Sequence, residues 1–340
     1  MGGLTLIAVS LMGAASYMPE TVVDNDFFRA ASGVDRHPMF RGTQYRHHMS
    51  SGETASGMAT TAIGRLQKKL DLDLHRDVDA LISNVTLPDI PFVGAGAAIV
   101  GKLGMNPKVV YDLHNGGCVS FLFMLDLART LIQAGKIRNA ILCNMQTAAG
   151  RVFSQDDNRK LPQSCVPGDG CGAVYVCASE ANPIDVIITR THGEYALDMN
   201  VTAPDGRDWW QPGESAFNID FDEAHIGSVI DRGNALVPTA MYDALAETGL
   251  EPQAIDRLIT NQPNRIFLRN WREALFLPEE AHIHTLPEHG NLFGAALPIC
   301  LERGWSEGRL KPGQRLMMAG FSHAGDYSAA AIISLNSVVH

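Results

Sequence analysis

The chain lacks any long apolar run. No stretch reaches the roughly 18 residues that a bilayer-spanning helix needs. Residues 1–10 carry no basic cluster ahead of their short apolar segment, so they read as a strand rather than a secretory leader, and the expected location is cytoplasmic. Cysteine pairs are missing too. None of the six cysteines forms a Cys-x-x-Cys motif, and the even spacing of Cys165, Cys171 and Cys177 matches no zinc signature. No metal site is expected, and most of these thiols should be small core residues. Positive charge is in deficit, with 27 Lys and Arg against 37 Asp and Glu, a formal net charge of −10. That balance argues against nucleic acid or an anionic membrane as partner. Low-complexity segments are absent, and Gly94 and Gly96 lack the strand–turn–helix frame of a dinucleotide fingerprint.

What is present is core material and repetition. The 340 residues are 46% hydrophobic and 19% charged, which suits a large buried core and excludes wholesale disorder. Residues 78–84, Val-Asp-Ala-Leu-Ile-Ser-Asn, return at 255–261 as Ile-Asp-Arg-Leu-Ile-Thr-Asn. Residues 138–143 return at 314–319, and 171–176 at 328–333. An opening strand at 4–10 pairs in the same way with 184–190. These strand patterns keep the same order in both halves. Helical patterns at 52–70, 119–134, 238–250 and 294–303 separate them. Strands alternating with helices predict an α/β protein whose sheets are covered on both faces. Two such units predict a duplicated five-layered α-β-α-β-α arrangement, with halves at 1–180 and 181–340. Insertions at 147–166 and 196–231 distinguish the halves. The second contains Trp209 and Trp210 and reads as a lid or interface element.

The strongest chemical signal is residues 111–121, Tyr-Asp-Leu-His-Asn-Gly-Gly-Cys-Val-Ser-Phe. A strand ends, two glycines make a tight turn, and Cys118 opens an apolar helix. Helix N-termini carry free N–H groups and partial positive charge, which favour a thiolate nucleophile. The bland alternative is a structural cysteine at a helix start.

This turn resembles the nucleophile turn of β-ketoacyl-acyl-carrier-protein synthase III and its thiolase-fold relatives. The resemblance covers nearly the whole chain. Residues 166–174, Val-Pro-Gly-Asp-Gly-Cys-Gly-Ala-Val, look like the family's Gly-Asp-Gly-x-Gly-Ala strand. Residues 288–296 look like its catalytic asparagine turn and put Asn291 in that role. Residues 319–325 stand where the family has a glycine-rich loop, which implies Ala324 and Cys118 as N–H donors to an oxyanion. Phe92 matches the residue that gates the partner subunit's acyl pocket, and the family implies a homodimer.

Three departures stand out. Where the family has a catalytic histidine in a His-Gln-Ala-Asn motif, this chain reads Asn261-Gln262-Pro263-Asn264. An amide can donate a hydrogen bond but cannot carry positive charge or shuttle a proton. His323 replaces a glycine. It has two readings: a general base pointing into the site, or a ring turned away onto backbone. The Trp–Arg pair that clamps the adenine of coenzyme A has no clear match in 27–29 or 36–42. Other histidines are expected to be less informative. His289 reads as structural, His114 as a possible wall of the site, and His282-Ile283-His284 as a surface strand.

The resemblance and its departures imply an acyltransferase, moving an acyl group from a carrier-protein or coenzyme A thioester through Cys118 to a hydroxyl, amine or thiol, in secondary metabolism. No tightly bound cofactor is expected; the phosphopantetheine or coenzyme A thioester is substrate. An acidic carrier protein and a small-molecule acceptor are the expected partners, and the carrier would need a local basic patch. The alternatives are a decarboxylative condensing enzyme with Asn261 in the histidine's place, and a non-catalytic partner subunit.

Overall fold

The computed structural model describes residues 7–28, 42–114, 116–221 and 226–339. In chain order the first half contains β1 (Val9–Tyr17), β2 (Thr21–Asp24), β3 (Tyr45–His48), α1 (Ala55–Leu70), β4 (Ala80–Val85), α2 (Gly96–Leu103), β5 (Val109–Asp112), α3 (Ser120–Gln133), β6 (Asn139–Gln146) and β7 (Gly170–Ala178). The second contains β8 (Ile184–Thr191), β9 (Met199–Thr202), β10 (Asn218–Phe221), α4 (Ile226–Thr248), β11 (Arg257–Thr260), α5 (Arg265–Ala274), β12 (His282–Ile283), α6 (Leu286–His289), α7 (Ala296–Ser306), β13 (Arg315–Ser322) and β14 (Tyr327–Ser334).

Two five-stranded sheets carry the fold, ordered β1-β7-β6-β4-β5 and β12-β11-β13-β14-β8. Their pairing patterns match. β1 with β7 and β7 with β6 are antiparallel, while β6 with β4 and β4 with β5 are parallel. The second sheet repeats this with β8, β14, β13, β11 and β12. All eight residues of β6 are buried, as expected of a central strand covered on both faces.

Three apolar clusters define the layers. Met58, Ala62, Ile63 and Leu66 of α1 pack on one face of the first sheet, at the i, i+4 spacing of a single helical stripe. Phe121, Leu122 and Leu125 of α3, with Leu297 and Leu301 of α7, fill the space between the sheets. Val237, Met241 and Leu245 of α4, with Phe267 and Trp271 of α5, cover the outer face of the second sheet. The result is α-β-α-β-α, five layers from a duplicated unit.

The local expectations needed three corrections. The first strand lies at Val9–Tyr17 rather than 4–10, and residues 1–6 lie outside the described residues. The small residues Gly13, Ala14 and Ala15 of β1 give it a low profile against the flanking helices. The second-half helix begins at Ile226, not at Pro238, so that the insertion ends sooner. Proline removes one hydrogen bond inside a helix, but the turns before Pro238 are held by packing, with Gly233 against Phe267 and its carbonyl accepting the Trp271 indole at 2.8 Å. The insertion forms the β9–β10 hairpin, with Trp209 and Trp210 exposed in the loop between its strands. His282 is buried rather than on a surface strand, its Nε2 within 3.0 Å of Thr260 Oγ1. No helix among the described residues is long and apolar enough to cross a membrane.

Candidate active site

The ends of β5, β11 and β13 converge on one cavity of about 1440 Å³. Its wall includes His114, Cys118, Asn261, Asn291 and His323, with apolar surface from Phe153, Leu197, Met199, Ile230 and Phe293. Four residues singled out as catalytic from the sequence therefore meet in one place.

Cys118 lies in a single 3-10 turn, Gly117–Val119, that runs into α3. Gly116 and Gly117 have φ of 86° and 41°, a left-handed pair that other residues adopt only with strain. Asn115 lies outside the described residues. The thiol is half-buried and faces the cavity. Burial pushes it up to about 12, opposed by the Asn261 amide and the His323 backbone N–H and reinforced by the Asp326 charge. The sequence pointed to an activated thiolate at a helix start. In the fold, desolvation is the larger effect, so at neutral pH the thiol needs a base to take its proton.

Asn261 follows β11 and is buried. Its Nδ2 donates to the Phe321 carbonyl at 3.0 Å, and its Oδ1 accepts from the Phe321 N–H at 3.2 Å. The carboxamide is thus locked onto β13 while its amide also reaches the Cys118 sulfur. Asn291 follows α6 and Gly290. Its main chain is tied to Val166 and Gly168, and its Oδ1 accepts the Phe293 N–H at 3.0 Å. The preceding histidine, His289, packs on His47 with ring centroids 5.1 Å apart, outside the cavity wall. Burial and His47 push its ring down to about 4.

His323 follows β13 with φ of 48°. Its ring points into the site. A β-carbon built on Gly117 would lie 2.6 Å from His323 Nε2. On the other side of the ring, Nδ1 lies 2.9 and 3.0 Å from the two carboxylate oxygens of Asp326. The main-chain N–H reaching the sulfur is that of His323. Ala324, the donor implied by the family pattern, is fully buried, and its carbonyl accepts Arg232 Nη1 at 3.2 Å.

Two residues of this site went unnoticed in the sequence. Ser322 Oγ accepts the Val119 N–H at 3.0 Å and donates to the Gly116 carbonyl, which stitches the cysteine turn to the histidine turn. Asp326 is the other, and the His-x-x-Asp spacing was its only visible signal. Asp169, from the Gly-Asp-Gly strand, supports the frame instead. Its carboxylate accepts the N–H groups of Met49, Ala149 and Gly150 at 2.7–2.8 Å. Phe92 is absent from the cavity wall and is 89% exposed. Phe28, in the stretch compared with the coenzyme A clamp, is buried beneath the Arg46 guanidinium; Arg29 and residues 36–41 lie outside the described residues.

The same residues are bracketed by known families. Residues 111–193 match the model described as 3-oxoacyl-[acyl-carrier-protein] synthase III, and residues 245–335 match its C-terminal counterpart. The chain belongs to the synthase III-like thiolase superfamily. It is similar to β-ketoacyl-[acyl-carrier-protein] synthase III of Neisseria gonorrhoeae, with 26% identity over 95% of this chain and 98% of the relative. The Clostridium perfringens synthase III is 26% identical at the same coverage. The fold resembles the crystal structure of the Aquifex aeolicus synthase III, with a TM-score of 0.82, 20% identity and coverage of 96% and 99%. It also resembles Xanthomonas campestris OleA, solved with lauric acid and lauroyl-CoA, with a TM-score of 0.80, 18% identity and coverage of 96% and 99%. The duplicated five-layered fold expected from the repeats is thus the family's thiolase-like fold.

Proposed function

We propose that this protein is an acyltransferase that carries its acyl group as a thioester on Cys118 and passes it to a hydroxyl, amine or thiol acceptor without decarboxylation, in secondary metabolism. The observation that carries this reading is the pair of substitutions at the sulfur. Asn261 stands at the end of β11, and an imidazole approaches from the β13 turn. A locked neutral amide gives an enolate oxyanion little of what a histidine would. A histidine on the same cavity wall as the thiol suits proton transfer to and from sulfur and acceptor.

In this mechanism His323 Nε2 accepts the Cys118 proton as sulfur attacks the thioester carbonyl. The bond to the donor thiol breaks, and that thiolate recovers the proton from Nε2. The acceptor then gives its own proton to Nε2 and attacks the acyl-enzyme carbonyl; the bond to sulfur breaks, and the departing Cys118 sulfur takes that proton back from Nε2. Cys118, Asn261, Asn291 and His323 are the proposed catalytic residues, with the Cys118 and Ala324 main chain as the expected oxyanion donors. The cavity has room for a bulky acyl group. The donor is an acyl carrier protein or coenzyme A thioester in the cytoplasm. The halves at 1–180 and 181–340 then divide the labour: one carries the nucleophile, the other the amide and imidazole. Phe92 is proposed to reach the second protomer of a homodimer.

A second reading has one observation in its favour. Asn291 shares the cavity wall with Cys118, as a condensing enzyme requires. Incubation with a labelled malonyl thioester and a panel of carrier-loaded acyl groups separates the two, by carbon dioxide release and by intact mass of Cys118.

A further inference from the structure

We propose that Asp326 is the positioning residue of a Cys118–His323–Asp326 relay, holding the His323 ring so that Nε2 is the atom that exchanges protons with the sulfur. The inference rests on the reading of His323 as proton acceptor and deepens it.

The geometry allows one tautomer. Both carboxylate oxygens of Asp326 lie within 3.0 Å of His323 Nδ1. An ionised carboxylate only accepts, so Nδ1 carries the hydrogen and Nε2 keeps its lone pair. That lone pair is on the Gly117 side of the ring, at the turn that carries Cys118, and both residues line the same cavity. The Asp326 side chain is mostly buried, so its charge is poorly screened by water. When the sulfur gives up its proton, the new imidazolium sits against that carboxylate.

The turn bearing both residues is fixed at three points. Ser322 is bonded to the cysteine turn. The Ala324 carbonyl accepts Arg232, whose guanidinium is paired with Asp198. The Asp326 carbonyl accepts the His192 N–H at 2.7 Å. The titratable and charged groups facing the ring are thus Cys118 from the 3-10 turn, Asp326 from its own turn and Tyr327 from β14, with ring centroids 6.3 Å apart. His114 lies on the shared cavity wall, and Arg232 is engaged by Asp198. Asp326 alone among them binds Nδ1 in the contacts described. No co-reactant is needed: one proton moves from Sγ to Nε2 and on to the departing thiolate, while the Nδ1 hydrogen stays in place.

The test is the rate of Cys118 alkylation by iodoacetamide in the full-length protein, followed by intact mass across pH. Asp326→Asn is expected to slow alkylation near neutral pH by on the order of a hundredfold. It should also move the midpoint of the acid limb to lower pH, because the imidazolium loses its neighbouring anion. Asp326→Glu should recover part of the rate. In a His323→Ala background, adding Asp326→Asn should cause no further loss; the sulfur, freed of the Asp326 charge, can only become more reactive. Wild-type rate and midpoint in Asp326→Asn would overturn the proposal, as would an equal loss in the His323→Ala background. Nitrogen NMR of wild-type His323 gives a readout that needs no variant: an Nδ1–H tautomer supports the relay and an Nε2–H tautomer overturns it. If the relay fails while the wild type still transfers acyl groups without releasing carbon dioxide, the assigned function survives and only the role of Asp326 falls.

Discussion

His323 Nε2 stands over Gly117, where an added β-carbon would lie only 2.6 Å away. The glycine is therefore what lets an imidazole share the cysteine turn. Gly117→Ala should displace the ring and strain a backbone at φ of 41°. We expect acyl transfer to fall at least tenfold, a larger loss than the drop in thermal stability would explain. Kinetics and melting measured on the same preparation check this.

Cys118→Ala should abolish acyl-enzyme formation by intact mass and leave the melting curve close to wild type. The residue is one half-buried side chain facing a cavity, so its truncation leaves little void. Persistent acylation of this variant, located elsewhere by peptide mapping, would refute the mechanism.

Asn261 contributes to the fold as well as to the site. Asn261→Ala removes both bonds to Phe321 and leaves that buried N–H and carbonyl short of partners, at a cost of about 1–3 kcal/mol in denaturant titration. Asn261→His should raise carbon dioxide release from a malonyl thioester, because one oxyanion donor is worth about 3 kcal/mol, or roughly a hundredfold in rate. It should also lower stability, since an imidazole cannot make both main-chain bonds. Unchanged carbon dioxide release would count against the role given to this position.

Stability should fall in mild acid. Burial pushes His48 down to about 4, His282 to about 3 and His289 to about 4, from an ordinary 6.5. The unfolded chain therefore binds protons that the folded chain refuses. Stability is full above about 6.5 and is lost as pH falls toward about 4, with each histidine contributing up to about 1.4 kcal/mol per pH unit. Urea midpoints between pH 7.5 and 4.5 read this slope. A His282→Gln variant should show a shallower one.

Phe92 is 89% exposed and has Ile90 and Val93 beside it, also exposed. Such a patch calls for a partner, and the edge strand β5 leaves Val110 and Tyr111 exposed as well. Light scattering at micromolar concentration should give the mass of a dimer, and Phe92→Asp should weaken it. A wild-type monomer would contradict the homodimer.

Much of this was legible in the sequence, for a physical reason. Buried central strands are written as apolar runs, so β4, β6 and β7 and their counterparts β11, β13 and β14 repeat visibly. The fifth matching pair, β5 and β12, was not seen because β12 has two residues and β5 is a short, exposed edge of four. Cys118, Asn261, Asn291 and His323 were visible through their glycine-rich turns. Asp326 and Ser322 were not, because their roles depend on the left-handed turn at His323, which no residue pattern announces. The thiol's burial was equally hidden, since it arises from elements far apart in the chain.

Acyl transfer in place of condensation is the central claim, and a single-tube experiment addresses it most directly. The acylated enzyme is mixed with a carboxyl-labelled malonyl thioester and, in parallel, with a panel of hydroxyl, amine and thiol acceptors, while released carbon dioxide and the mass at Cys118 are followed together. The account predicts that label stays in the malonyl thioester and that the acyl mass leaves Cys118 only with an acceptor, at a rate that His323→Ala reduces about a hundredfold. Release of labelled carbon dioxide in step with loss of the acyl group from Cys118 would contradict it and make the protein a condensing enzyme.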